Sequence, residues 1–175
     1  MFFAKLHPLL VHFPVALLVA GTLFEFYGKL QKEEATLAAA RFNLLLGFWT
    51  ALAAAVAGIL GALSLDVQPK FKTALVLHAE FALATLVLFA AALLVRRFWK
   101  GKTGTFLYVI LLAAGLTCVL AAGHWGGEMV HRFGVATLRP ASVALDPTDP
   151  TRMANGSHGW AIRVELAARG GPPLQ

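Results

Sequence analysis

The segment LHPLLVHFPVALLVAGTLFEFY, Leu6 to Tyr27, holds one acidic residue and no lysine or arginine in 22 positions. About 20 consecutive apolar residues are what a helix needs to cross hydrocarbon, and a soluble helix would show a polar stripe instead. Working outward, the same pattern recurs three times: from about Phe42 to Leu65, from about Thr73 to Val95, and from Thr105, continuing as helix to about Val130. Pro14 lies inside the first span, where membrane helices tolerate proline. The second span is rich in small residues, Gly47, Gly58 and Gly61 among many alanines, which permit close helix approach. The fold class that follows is all-α: an integral membrane four-helix bundle over residues 1–134. Residues 135–175 form a short, irregular extramembrane tail with turn-like DPTDP and ANGSHG, expected to pack on the domain or on a partner.

Composition agrees. The chain is 58% hydrophobic and 14% charged, with mean hydropathy +0.71, where soluble domains run nearer half and a quarter. The net charge of +6 falls mainly in the loops that set membrane topology, so it does not signal nucleic-acid binding. One cysteine, Cys118 in mid-span, excludes a disulfide framework, a CxxC zinc pair and a CxxCH haem-attachment motif, and reads as core filling. The N-terminus does not read as a cleaved signal peptide. Helices alternate direction. Lys29, Lys32, Arg41, Arg96, Arg97, Lys100 and Lys102 therefore share one side, against Lys5, Lys70, Lys72, Arg132 and Arg139 on the other. Seven against five puts the first set in the cytoplasm and both termini in the periplasm of a bacterial inner membrane.

Span parity also sorts the histidines. His7 and His12 begin span one, His78 begins span three, and His124 and His131 end span four, so all five lie at one membrane face. His158, in the tail, reads as an exposed residue of a polar turn. Ionisable groups in membrane spans default to a functional reading. Neutral imidazole ligates haem iron, zinc or copper, and a four-helix bundle can hold a haem between facing histidines. His12, His78 and His124 are the preferred ligands, with His7 and His131 available for a second haem. His124 and His131 are seven apart on one helix face, with Gly127 between them and Gly123 one turn before, where glycine would admit a flat macrocycle. The bland alternatives are interfacial histidines bonded to carbonyls, and glycines serving helix packing. Glu128 could orient the second nitrogen of His124. Glu80 reads as a structural partner, and Glu25, at the other end of span one, as a headgroup-level residue. Phe2, Phe3, Phe13, Trp125 and Phe133 at the histidine face read as an aromatic belt or as packing around a porphyrin.

LHPLLVHFPVALL, Leu6 to Leu18, resembles the opening signature of a bacterial membrane family catalogued as domain of unknown function 2231. GHWGGEMVHRFGV, Gly123 to Val135, is similar to its second signature, and His78 falls where the family commonly carries a third-span histidine. The likeness covers about residues 6–135; the tail is longer than the family pattern. It implies four helices. Because some members are fused to or encoded beside periplasmic c-type cytochromes, it also implies a redox role with haem b.

The expectation is therefore an electron-transfer subunit holding one haem b or two, partnered by a periplasmic c-type cytochrome or a larger redox complex. It would not be a stand-alone enzyme, since no nucleophile–base pair, phosphate loop or paired catalytic carboxylates stand out. No inverted repeat suggests a transporter. Two other readings stay open: a cofactor-free structural subunit, and a zinc or copper site on the same histidines.

Overall fold

The computed structural model describes residues 2–63 and 69–131, with the side chains of 2–5 and of 70 excepted; the expected tail lies outside the described residues. Four helices account for nearly all of it: α1 (Phe2–Gln31), α2 (Glu34–Leu63), α3 (Pro69–Phe98) and α4 (Lys102–His131). All four are long and apolar enough to cross a membrane. Each has 30 residues, or about 45 Å at 1.5 Å per residue, against a hydrocarbon core of about 30 Å. The helices therefore outrun the apolar spans. A backbone already hydrogen-bonded internally gains nothing by unwinding at the headgroups.

This changes the loops. The polar stretch from Lys29 to Arg41 is almost wholly helical and turns only at Lys32 and Glu33. Lys32 takes the left-handed conformation (φ 56°), and the Glu33 N–H donates to the Gly28 carbonyl at 2.9 Å. This is the six-to-one bond that closes a helix C-terminus. The Glu33 carboxylate then accepts the Thr36 hydroxyl at 2.6 Å and starts α2. Pro69, expected in a turn, instead opens α3, where its missing N–H has no intrahelical partner to lose. Pro8 and Pro14 both lie within an unbroken α1.

The helices pack as two hairpins, α1 with α2 and α3 with α4, which meet along α1–α4 and α2–α3. Leu18, Leu44, Phe89, Leu112 and Val119 fill the centre. Gly115 lets Phe89 in: a Cβ there would stand 2.9 Å from its ring. The outer faces stay apolar, with Leu9 73% and Phe106 68% exposed, a surface that lipid solvates and water would not. Thr22, Thr50, Thr85 and Thr117 satisfy their hydroxyls on carbonyls four residues back.

Candidate histidine site and its ionic counterpart

α1 and α3 sit on the diagonal of the bundle, with no backbone contact between them among the described residues. Their side chains nevertheless meet at both ends. At one end the rings of His7 and His78 lie 6.1 Å apart, centre to centre, at 80°. Each is fixed by a different helix. His7 Nδ1 is 2.9 Å from the Ala54 carbonyl of α2, and His78 Nδ1 is 2.9 Å from the Ala122 carbonyl of α4. A carbonyl only accepts, so Nδ1 carries a proton in both rings, and in the neutral form of each ring the basic lone pair is the one on Nε2. Donation from Nδ1 to a carbonyl is the outer bond that orients metal-ligating histidines.

Glycine makes room for both rings. A Cβ on Gly58 of α2 would lie 2.8 Å from His7 Cε1, and one on Gly126 of α4 would lie 3.2 Å from His78 Nδ1. These two glycines belong to the site. Gly127, a candidate by its place between His124 and His131, faces elsewhere: among the described residues a Cβ there would meet only His131, at 4.0 Å, and one on Gly123 would meet nothing.

The other described histidines, His12, His124 and His131, do not join the pair. His12 is exposed, and its Nδ1 turns back to the Pro8 carbonyl of its own helix at 2.6 Å. Five residues is about 140° of helix rotation, so His7 and His12 cannot both face inward. His124 is exposed beside Trp125, ring centres 5.2 Å apart, and His131 is exposed as well. They are two and nine residues beyond Ala122, the α4 position that bonds His78, hence on the far side of that helix. Glu80 is exposed, as its two-residue offset from His78 requires. Phe13 is exposed outward. His158, Phe133 and the side chains of Phe2 and Phe3 lie outside the described residues.

At the other end of the same diagonal is a cluster that sequence reasoning missed. Glu25, expected at headgroup level, is only 1% exposed. Arg96 of α3 donates to its Oε2 at 2.6 Å and to the Tyr108 hydroxyl of α4 at 2.7 Å. Lys29 lies 3.3 Å from Glu25 Oε1. Both cations also stand near the face of the Tyr108 ring, Arg96 at 5.2 Å and Lys29 at 5.6 Å. A buried carboxylate and a buried phenol are thus satisfied by two partly exposed cations, as buried charge requires. Spacing is the signal that could have found them. Glu25 follows His7, and Arg96 follows His78, by the same interval of about five helical turns. A whole number of turns keeps each histidine on one helix face with its charged partner, about 27 Å away.

Four apolar crossing helices stitched by polar side chains at both membrane levels define a multi-pass membrane protein. More particularly, residues 4–139 match the model of the family described as Predicted membrane protein (DUF2231), and the chain belongs to that family. No curated protein and no solved structure matches it.

Proposed function

We propose that the chain is a b-type haem electron-transfer protein of a bacterial inner membrane, in which His7 and His78 would hold the haem. The observation that carries this reading is two imidazoles from different helices, each anchored through Nδ1 and each keeping an Nε2 lone pair, with ring centres 6.1 Å apart. Two metal–nitrogen bonds of about 2 Å, plus about 1 Å from each nitrogen to its ring centre, separate axial imidazoles by roughly 6 Å. The donor set also suits haem better than a bare ion. Among the described residues no three His, Cys, Asp or Glu side chains gather as a metal site, and zinc asks for three or four protein ligands. Haem asks for only two.

The bound group would supply one-electron chemistry, and two histidine ligands leave no open position for substrate. The chain's own residues do the rest. Ala54 and Ala122 hold the rings through their carbonyls, Gly58 and Gly126 give them space, and the apolar helix walls exclude water. The site lies at the end of the bundle that holds the N-terminus of α1, which the positive-charge bias puts at the periplasmic face. A soluble c-type cytochrome or a larger redox complex on that face is the fitting partner. His124 and His131, exposed on α4, are left for contacts with that partner or for a second haem.

One specific observation favours a cofactor-free alternative: the His7–Ala54 and His78–Ala122 bonds also clip each hairpin shut. Spectroscopy separates the two. Protein purified after expression with ample haem should show a Soret band and a sharp α band on dithionite reduction. His7→Ala and His78→Ala should each abolish them, while His12→Ala should not. No bands in the unaltered protein would leave the clip as the histidines' role. Metal analysis beside the haem assay would expose zinc or copper.

A further inference from the structure

We infer that Glu25 and Arg96 are positioning residues for the His7–His78 pair, so that the buried ionic cluster at one end of α1 and α3 sets the register of the histidines at the other. The inference rests on the reading of that pair as a site. It is carried by the matched geometry of two diagonal helices.

α1 and α3 make no backbone contact among the described residues. Their relative height and rotation are therefore set through the helices between them, α2 and α4, and by the side chains that cross the diagonal. Between the two polar levels the diagonal is filled by Leu18 and Phe89, which are apolar and non-directional. Apolar packing tolerates small slides and rotations far better than a charge-assisted hydrogen bond does. The Arg96 Nη1 contact to Glu25 at 2.6 Å is the directional link across this diagonal. Arg96 is itself held by Tyr108 of α4, and Glu25 by Lys29, so neither end of the link can swing freely. Because the two intervals are equal and close to a whole number of turns, fixing Glu25 opposite Arg96 brings His7 level with His78 and turns both to the same seam. A one-residue slip of either helix would rotate one imidazole by about 100° and end the pairing. The cluster does not touch the imidazoles, so its effect is positional.

The test keeps the whole chain in membranes and needs no haem. In a Cys118→Ala background, His7→Cys and His78→Cys are joined by a short bifunctional thiol reagent, and the rate of cross-linking is compared with and without the cluster. Two cluster variants are used: Glu25→Gln, and the double Glu25→Leu/Arg96→Leu, which removes both ends of the diagonal link and leaves only the partly exposed Lys29 without its carboxylate. The expected result is at least a fivefold fall in cross-linking rate in both, with helix content by circular dichroism unchanged. Rates within twofold of the parent would overturn the inference. So would failure of both variants to insert, which would make the cluster a determinant of the whole bundle instead of a register device. In histidine-intact protein, the same variants should shift the haem midpoint potential and the low-spin resonance signal. An unaltered protein that takes up no haem would sink the haem reading alone, and the cross-linking result would still decide this one.

Discussion

The two ends of the α1–α3 diagonal solve one problem in opposite ways. Both must bring polar side chains together across helices that do not touch, near the limits of the hydrocarbon. The ionic end uses charge: Glu25, Arg96, Lys29 and Tyr108 spend their hydrogen-bonding capacity on one another. The histidine end uses imidazole rings, each with Nδ1 committed to a backbone carbonyl. A cluster whose charges neutralise one another can hold helices and offers a ligand no uncompensated charge. A half-committed pair is less rigid and chemically available. The difference teaches that the deepest polar group, Glu25, lies at the end whose charges pair with one another, and not at the end with the histidines.

The comparison breaks most visibly at the ionic end. Arg96→Leu should cost about 1–3 kcal/mol, because it breaks the bonds to Glu25 and Tyr108 and leaves Lys29 as the carboxylate's ionic partner, whereas the double Glu25→Leu/Arg96→Leu should recover part of that loss. Reversible unfolding in mixed detergent micelles checks both, and equal losses in single and double variants would show that the charges are not coupled. At the histidine end His7→Ala and His78→Ala should each cost about 1–3 kcal/mol, for a lost bond to a buried carbonyl and the space left behind. His131→Ala, exposed on α4, should stay within about 0.5 kcal/mol in the same assay.

The glycines sharpen the contrast further. Gly58→Ala should destabilise by about 1–3 kcal/mol, since its new methyl meets the His7 ring at 2.8 Å. Gly123→Ala, where a Cβ meets nothing, should instead stabilise by a few tenths to about 1 kcal/mol through helix propensity. Thermal denaturation of the pair decides, and the same sign for both would remove the steric account of Gly58. The smallest effect is expected at the α1–α2 turn. Lys32→Gly relieves a left-handed lysine and should add up to about 1 kcal/mol.

Much of this is legible in the sequence, for physical reasons that also mark where legibility stops. Hydrocarbon thickness makes span count readable, so Leu6 to Tyr27 and its three successors lead directly to the four-helix bundle. Span parity then puts His7, His78 and His124 at one face. Which histidines meet is a question of helix rotation, and parity says nothing about rotation. The turn of about 140° between His7 and His12 follows from their spacing and forces a choice between them. The anchoring of the rings by α2 and α4 carbonyls leaves no mark in the sequence, because every residue has a carbonyl. Glu25 escapes for a different reason. A charge at a span end is ordinarily solvated by headgroups, and only its matched interval with Arg96 hints at a buried partner.

On the proposed function, His7 and His78 would hold the haem together. The most direct test is the reduced-minus-oxidised absorption spectrum of purified protein beside its His7→Ala, His78→Ala, His12→Ala and His124→Ala variants. The account predicts b-type bands that vanish in the first two and persist in the last two. Bands that survive loss of His7 or His78, or that require His12 or His124 instead, would contradict it.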